Sequence, residues 1–202
     1  MAYTPYNPLD KRHLAESIVG KLEERPLEAL PPLEQVVGAG IYAIYYDGSN
    51  PLYAPLVKAN KAKVSPRPIY VGKAVPAGAR KGGFDLVDQV GKDVQKRLKH
   101  HAKSIEQGAG LELRNFRCRY LMVDDIWIPL GEQLLIDKYR PIWNSLLDGF
   151  GINVPGSGRG NQKRSMWDEV HPGRDIAKGL PPNSKGREAL TKEIHQFWQA
   201  GR

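Results

Sequence analysis

The order of periodic segments along the chain is the feature that most restricts its fold. Two short runs rich in isoleucine, valine and tyrosine, residues 40–46 and 68–73, predict strands, and the turn signal "DGSNP" follows the first. A helical repeat covers 93–107, an alternating run covers 114–123, and a second helical repeat covers 129–139. The order strand, strand, helix, strand, helix predicts a small three-stranded sheet with helices packed on it.

Weaker patterns flank and interrupt this core. Leu14, Ile18 and Leu22 recur at helical spacing before Pro26, which predicts a helix in an N-terminal arm. Between the predicted strands and helices we expect an irregular insertion and a long loop, and near the C-terminus a last amphipathic helix. These three segments cover residues 52–67, 75–91 and 187–198.

The chain is expected to have three parts. Its length of 202 residues suits one domain with elaborations, and a hydrophobic content of 41% is enough for a sizeable core. The parts are an N-terminal helical arm over residues 1–35, a core with insertions over 36–150, and a C-terminal extension packed on the core over 151–202.

The charge of the chain favours a nucleic-acid partner. Thirty Lys and Arg residues face 22 Asp and Glu residues, for a net charge of +8. Because basic side chains displace counterions from phosphates, basic chains often bind nucleic acid. The alternative is a protein that is merely basic.

The expected location is cytoplasmic. No apolar run reaches the ~18 residues that a membrane span needs, and the N-terminal stretch lacks the features of a secretory signal. Cys118 is the single cysteine, which excludes an internal disulfide and favours the reduced interior of a cell. Its position on a predicted strand indicates a small core residue.

Two basic side chains on the first core helix could meet a phosphate. Arg97 and His101 are four residues apart and share a helix face, where a guanidinium can bind phosphate and an imidazole can assist proton transfer. Spacing alone favours the alternative, a solvated basic face. The residues that support this alternative are Lys96, Lys99, His100 and Lys103.

Glu132 and Asn144 lie near the two ends of the second core helix. Glu132 is predicted at the helix start, where the helix dipole favours a carboxylate that could hold one Mg²⁺, although Glu is also common in first turns. Asn144 follows the helix end, where it could cap the chain or hydrogen-bond a metal ligand or phosphate. The residues themselves favour an ordinary first-turn glutamate at Glu132 and leave the role of Asn144 open.

The second predicted strand carries Tyr70 and ends near Gly72 and Lys73. The glycine allows a ligand or backbone to come close. Tyr70 could share a sheet face with a first-strand tyrosine, either for chemistry or for ordinary cross-strand packing. Periodicity does not choose among the three tyrosines of the first strand, which are Tyr42, Tyr45 and Tyr46.

Signatures of other enzyme classes are weak or absent in the sequence. The glycine-rich stretches "GSGRG" and "GKAVPAGARKGG" lack the spacing of nucleotide-binding loops. Five scattered histidines and one cysteine show no zinc-binding spacing, and no serine lies in a nucleophile elbow.

Taken in order, these residues resemble the signature of the GIY-YIG nuclease superfamily. "GIY" at 40–42 is followed by "YVG" at 70–72, with Val where the superfamily has Ile, and then by Arg97, Glu132 and Asn144. "GAGIYAIYY", "PIYVGKAVPAG", "PIWNSLLDGFG", "PGSGR" and "WDEVHPGR" resemble the type II restriction endonucleases of that superfamily that cut the palindrome CCGCGG. The resemblance implies an α+β core in which a small three-stranded antiparallel sheet is flanked by helices.

The resemblance also implies roles for the matched residues on the strands and the first core helix. Tyr42 resembles the tyrosine that orients or deprotonates the attacking water, and Tyr70 the one that helps hold the scissile phosphate or water. Arg97 resembles the arginine that steadies the phosphate. His101 resembles a histidine that contacts the catalytic tyrosine and takes its proton.

Three further residues match the metal and phosphate part of the family's site. Glu132 resembles the sole acidic ligand of one Mg²⁺ per active site, which Mn²⁺ can replace. Asn144 resembles the asparagine that supports the phosphate and metal shell, and Lys73 matches a lysine beside the second motif. Because a free tyrosine has a pKa near 10, a catalytic tyrosine needs a nearby cation or proton acceptor.

The partner implied by the resemblance is double-stranded DNA, bound by a homodimer because a palindrome matches a two-fold axis. Lys and Arg read guanine in the major groove, although phosphate contact is the commoner fate of such residues. A repair or homing nuclease of the superfamily and a non-cleaving DNA-binding protein are the alternatives. The DNA-binding candidates are Lys58, Lys61, Lys63, Arg67, Arg80, Lys81 and Arg159.

Overall fold

Four strands form one antiparallel sheet in the part of the chain that the computed structural model describes, residues 10–61, 66–76, 91–152 and 162–201. The strands are β1 (Glu28–Ala29), β2 (Gly40–Tyr46), β3 (Tyr70–Ala74) and β4 (Phe116–Met122). The helices in the same ranges are α1 (Lys11–Glu23), α2 (Ala54–Lys61), α3 (Asp93–Gln107), α4 (Ile128–Tyr139), α5 (Ile142–Ser145), α6 (Met166–Val170) and α7 (Arg187–Gln199).

The strand order is β1-β4-β2-β3, so β2 lies inside the sheet and β3 lies at an edge. Tyr42 on β2 lies opposite Gly72 on β3 and Tyr120 on β4. The predicted α+β fold is confirmed. The sheet has one strand more than predicted, because β1 pairs through two residues only and so short a segment carries no periodicity.

The sheet is covered on both faces, and the alternation along β2 assigns its residues to two hydrophobic clusters. Tyr42, Ile44 and Tyr46 point to the larger cluster, which contains the apolar stripe of α3. Ile41, Ala43 and Tyr45 point to the smaller cluster, which is closed by α1 and α4. Because both faces are covered, all seven residues of β2 are buried.

Capping residues and backbone conformation explain where α1 begins and where α4 ends. The Asp10 side chain accepts a hydrogen bond from the Arg12 backbone N–H at the start of α1. The bounds of α3 are those predicted from its apolar repeat. Helix α4 ends before Arg140, which adopts a left-handed conformation, and Pro141 follows.

The prediction that residues 52–67 are irregular is wrong for the first part of that segment. A 3₁₀ turn at Pro51–Tyr53 continues into α2. Asn50 caps the turn by accepting a hydrogen bond from the Leu52 backbone N–H, and Leu56 anchors α2 in the core. The helix is short and carries a single fully buried residue, so the sequence shows no clear apolar stripe.

Other predictions about segments fall partly or wholly outside the described ranges. The predicted loop over 75–91 is described only at its ends. Among the described residues, no helix is long and apolar enough to cross a membrane. The division of the chain at residues 35 and 150 stays a prediction.

Candidate active site

Two tyrosines and a histidine meet on the α3 side of the sheet. Tyr42 Oη lies 2.7 Å from His101 Nε2, and both side chains are fully buried. The Tyr70 ring centroid lies 6.4 Å from that of Tyr42 and 5.1 Å from that of His101. The strand register brings the tyrosines together, and α3 packs the imidazole against them.

Gly72 makes this arrangement possible. A Cβ at Gly72 would lie 2.5 Å from the Tyr42 hydroxyl oxygen, closer than atoms of a side chain can pack. The phenol therefore lies across the glycine of the neighbouring strand. The sequence predicted a close approach at this position, and the group that approaches is the side chain of Tyr42.

Arg97 approaches the same cluster from α3. Its Nη2 donates a hydrogen bond to the Gly151 carbonyl at 3.1 Å, which fixes the guanidinium. Burial raises the pKa of the Tyr42 and Tyr70 hydroxyls, and the charge and hydrogen bonding of Arg97 oppose that rise. Arg97 and His101 thus lie in one cluster with the two tyrosines, and the interpretation of this helix face as merely solvated does not hold for them.

Burial dominates the protonation of the cluster. It raises the pKa of Tyr42, and the neighbouring Tyr70 raises it further. Burial raises the pKa of Tyr70 to about 12, against the opposing effect of Arg97. Burial and then Arg97 lower the pKa of His101 well below its usual value. At neutral pH both phenols are therefore protonated and the imidazole is neutral.

A neutral imidazole carries a single N–H proton. His101 Nε2 can therefore accept a hydrogen bond from the Tyr42 hydroxyl only in the tautomer whose N–H proton is on Nδ1. Among the described residues, Nδ1 of His101 is buried without a hydrogen-bond partner. The pair therefore keeps hydrogen-bonding capacity that the fold does not use. Buried groups of this kind are rare in folded proteins and often mark functional positions.

Lys73 and Glu132 meet on the other side of β3. Lys73 Nζ lies 2.6 Å from Glu132 Oε2, and the side chains are 41% and 20% exposed. In addition to burial, which is the main cause, the charge of Glu132 raises the pKa of both Tyr42 and Tyr70, so this carboxylate acts on the tyrosine cluster across the edge strand. The site thus combines a buried cluster with a more accessible charged pair.

The prediction that Glu132 lies at a helix start is wrong. Helix α4 begins at Ile128, after a 3₁₀ turn at Asp125–Trp127, and Glu132 is its fifth residue. The helix dipole acts within the first turn, so it gives this carboxylate little stabilisation. Lys73 supplies the compensating charge instead.

Asn144 holds the outer edge of β3, which pairs with no further strand among the described residues. Its Oδ1 accepts a hydrogen bond from the Val71 N–H at 2.8 Å, and its Nδ2 donates to the Val71 carbonyl at 2.8 Å. The carboxamide therefore pairs with the edge as a further strand would. Because Val71 lies between Tyr70 and Gly72, this contact fixes the strand that carries the second motif.

The donor set around Glu132 fits a metal that takes most of its ligands from outside the protein. Among the described residues, no group of three or more His, Cys, Asp or Glu could hold a metal ion. The carboxylate already has a cation within contact distance, so its position favours positive charge. One carboxylate with several waters suits Mg²⁺.

Three of the seven DNA-binding candidates lie within the described part of the chain. Lys58 and Lys61 are exposed on α2. Arg67 is half-buried, and its Nη2 donates to the Tyr139 carbonyl at 2.9 Å, so it also has a structural contact. The remaining candidates, Lys63, Arg80, Lys81 and Arg159, lie outside the described residues.

Two residues in contact with the cluster were not predicted. Phe150 stacks on the His101 ring, with centroids 4.7 Å apart and an interplanar angle of 19°. Gly151 lies against the Tyr70 hydroxyl, where a Cβ would collide. The sequence signal was an aromatic residue between glycines in "DGFG", which the loop-rich composition around it obscured.

Comparison with known families agrees with this geometry. Residues 34–198 match the family model of the Eco29kI GIY-YIG domain. The matched range includes both tyrosine triplets, α3 and α4, and it extends through most of α7. No curated protein matches the chain.

Proposed function

Because the chain belongs to the Eco29kI GIY-YIG domain family, a family of restriction endonucleases, we propose that it is a type II enzyme that cuts double-stranded DNA at the palindrome CCGCGG. The observation that carries the proposal is the hydrogen bond between Tyr42 and His101 in a buried cluster with Tyr70 and Arg97. The family match supports the nuclease activity. The palindrome rests on the resemblance of the sequence motifs.

Tyr42 is proposed to orient the attacking water and to relay its proton. Its raised pKa excludes a resident phenolate at neutral pH. We infer that water passes a proton to the Tyr42 oxygen while the hydroxyl proton moves to His101 Nε2. The neutral His101 is ready to accept that proton, because burial and the Arg97 charge keep it unprotonated.

Arg97 and Tyr70 are proposed to hold the scissile phosphate. A phosphate beside the Arg97 guanidinium offsets the positive charge that lowers the pKa of His101. DNA binding would therefore raise the proton affinity of the acceptor at the moment when it is needed. The Tyr70 hydroxyl, which stays protonated, can donate a hydrogen bond to a phosphoryl oxygen.

Glu132 is proposed to hold one Mg²⁺ in each active site, and Mn²⁺ can replace it. When bound, the metal supplies charge stabilisation for the phosphoryl and leaving oxygens. Lys73 neutralises the carboxylate until then and must give up its ion pair. Asn144 is proposed to act through β3, because its amide is already bonded to Val71.

A two-fold palindrome fits a homodimer in which each protomer cuts one strand. The net charge of +8 supports a DNA partner. The exposed lysines of α2, Lys58 and Lys61, remain proposed DNA contacts, together with Arg67. Four other proposed contacts lie outside the described residues, namely Lys63, Arg80, Lys81 and Arg159.

Digestion of a plasmid with one CCGCGG site tests the function directly. With Mg²⁺ we expect a single linear product, and we expect no product from a matched plasmid in which one base pair of the site is changed. Discrete cutting elsewhere would reject the palindrome but keep the restriction activity. A smear would indicate a non-specific nuclease, and binding without cutting would indicate a DNA-binding protein.

A matched pair of variants tests the metal assignment. Glu132→Gln removes the charge of the proposed ligand and is expected to lower the cleavage rate by at least about 10³-fold while DNA binding remains. Asp137→Asn removes one charge from the exposed side of the same helix and should leave the rate within about twofold, as surface changes usually do. Full cutting by Glu132→Gln would refute the assignment.

A further inference from the structure

A buried ion pair lies behind the tyrosine–histidine cluster, in the C-terminal part of the chain. Arg174 and Asp168 are joined by two hydrogen bonds, Nε to Oδ1 at 2.7 Å and Nη2 to Oδ2 at 2.7 Å. Their side chains are 1% and 5% exposed. Apolar residues of equal volume often stabilise a fold as well as a buried ion pair does, so stability alone does not explain this pair. Its role is indicated by the other groups that it contacts.

Arg174 uses its remaining donors on the backbone of one turn. Its Nη2 donates to the Gly149 carbonyl at 2.8 Å, and its Nη1 donates to the Phe150 carbonyl at 3.1 Å. Asp168 is held in turn, because Ser165 Oγ donates to its Oδ2 at 2.6 Å. The guanidinium thus links a rigid helix start to this turn, which we call the Phe150 turn and which covers residues 148–152.

The Phe150 turn contacts three side chains of the proposed active site. The Phe150 ring stacks on His101 and packs edge-on against Tyr70, with centroids 4.7 Å and 4.9 Å away. The Gly151 carbonyl accepts the hydrogen bond from Arg97 Nη2 at 3.1 Å. A displacement of this turn would therefore move the proton acceptor and the phosphate-binding guanidinium together.

We propose that Arg174 is a positioning residue for the cleavage reaction. Anchored by Asp168, it fixes the Phe150 turn, and that turn orients the His101 imidazole and the Arg97 guanidinium. The inference rests on the proposed nuclease function and adds to it a residue that does not touch the substrate.

The charge of Arg174 also affects His101, in addition to the contacts that Arg174 makes with the Phe150 turn. Burial, Arg97 and His100 are the larger causes of the lowered pKa of His101, and Arg174 lowers it further. Removing this charge while keeping the fold would make His101 easier to protonate before substrate binds. The positioning role follows from the contacts of the Phe150 turn with His101, Tyr70 and Arg97.

Arg174→Lys is the main test, because it keeps the charge and loses the fork of donors. We expect kcat to fall about tenfold or more, since displacements of about 1 Å can cost 10²-fold in rate, while KM for DNA stays within about twofold. The control is Leu22→Ala, which weakens the cluster on the opposite face of the sheet. Both variants are assayed at a temperature where circular dichroism shows them folded.

A nuclear magnetic resonance readout separates positioning from a general loss of stability. Stacking on Phe150 shifts the His101 ring protons, so Arg174→Lys should move these resonances, whereas Leu22→Ala should leave them in place. If Arg174→Lys does not fold, Phe150→Leu tests the same link, with kcat expected to fall and DNA binding to persist.

The outcomes distinguish this inference from the proposed function. If the wild-type protein cuts DNA and Arg174→Lys keeps wild-type kcat and unshifted His101 resonances, the positioning role is wrong. If the wild-type protein does not cut, the nuclease proposal fails, and the resonances alone decide whether Arg174 orients His101. A loss of kcat equal to that of Leu22→Ala would also reject the positioning role.

Discussion

Two buried tyrosine–histidine pairs lie in the described part of the chain, and one of them belongs to the proposed active site. Tyr42 Oη is 2.7 Å from His101 Nε2, and Tyr53 Oη is 2.5 Å from His171 Nε2. In both pairs burial raises the pKa of the tyrosine and lowers the pKa of the histidine. Burial and the hydrogen bond therefore do not distinguish chemistry from packing.

The two pairs differ in how their remaining polar atoms are used. His171 Nδ1 is bonded to the Ala109 carbonyl at 3.0 Å, and Tyr53 Oη also accepts a hydrogen bond from Trp143 Nε1 at 2.9 Å. Nδ1 of His101 has no such partner within the described ranges. The fold gives partners to the polar atoms of the second pair, whereas it leaves one buried nitrogen of the first pair without a partner.

The tyrosines of the two pairs also differ in the charged groups that act on their pKa. Arg97 and Glu132 act on the pKa of Tyr42 in opposite directions. The neighbours that shift the pKa of Tyr53 are Trp143 and Tyr46, which are uncharged at neutral pH. A phosphate or metal that changes the balance between Arg97 and Glu132 would therefore change the proton affinity of Tyr42. The proposed active site is therefore distinguished by a tyrosine whose pKa depends on charged groups that a substrate or metal can contact.

Removing the hydroxyl from each tyrosine gives the largest expected difference between the pairs. Tyr42→Phe should lower kcat by about 10²–10⁴-fold, the usual contribution of general acid–base catalysis. Tyr53→Phe should keep kcat within about threefold but lose about 1–3 kcal/mol of stability, because it leaves buried groups of Trp143 and His171 unpaired. Steady-state cleavage and urea unfolding measure the two effects.

Each tyrosine variant is the control for the other, since both remove one buried hydroxyl that bonds to an imidazole. Equal losses of activity would mean that the hydroxyls act through packing alone. Wild-type activity of Tyr42→Phe would remove Tyr42 from the chemistry, whatever the behaviour of Tyr53→Phe.

The sequence predicted those parts of the fold and site that depend on local periodicity. In a strand over residues 40–46, Tyr42 and Tyr45 must point to opposite faces of the sheet, as observed. Helical spacing placed Arg97 and His101 on neighbouring turns of α3, within its observed bounds. The ordered motifs then identified the superfamily, which the family match confirms.

Contacts between distant segments could not be predicted in the same way. Tyr42 and His101 are 59 residues apart, so their contact was expected from the family resemblance and from no local pattern. Asn144 bonds to Val71 because β3 is an edge strand, a property of the assembled sheet. Local periodicity treats Tyr42 and Tyr53 alike, and only the ordered family motifs distinguish them in the sequence.

Lowering the pH should reduce the free energy of unfolding, because His101 and His171 are buried in their neutral form. The folded pKa of His171 is lowered to about 4 from a model-peptide value of 6.5, chiefly by burial. Above pH 6.5 its stabilising contribution is fully present; as the pH falls from 6.5 to about 4, the unfolded chain binds the proton first and the contribution is lost. For His171 this loss is about 3 kcal/mol in total.

Urea unfolding between pH 7 and 5 measures the acid effect before most carboxylates titrate. The lowered pKa of His101 adds a loss of the same sign in the free protein. Bound DNA should reduce the His101 part, because phosphate offsets Arg97, and should leave the His171 part unchanged. A free energy of unfolding that stays constant from pH 7 to 5 would contradict neutral burial of both histidines.

Loss of the two hydrogen bonds between Asn144 and Val71 should disturb the Tyr42–His101 pair more than the Tyr53–His171 pair. Asn144→Ala leaves the Val71 N–H and carbonyl at the sheet edge without their side-chain partner. We expect kcat to fall about tenfold through displacement of Tyr70, with a stability loss of about 1–2 kcal/mol. Asn60→Ala, which removes two hydrogen bonds to the Arg67 backbone, is the matched control and should leave kcat unchanged.

The smallest expected effect concerns the charge beside the first pair. Lys73 competes with any cation for Glu132, so Lys73→Met should tighten binding of Mg²⁺ or Mn²⁺ to the free protein. Because the lysine is 41% exposed, the ion pair is worth less than about 1 kcal/mol, which limits the gain to about fivefold. Calorimetry and Mn²⁺ resonance measure this affinity without any cleavage. Lys138→Met, which breaks the comparably exposed pair with Glu23, should leave it unchanged; weaker metal binding by Lys73→Met would show that the lysine supports the metal site and does not compete for it.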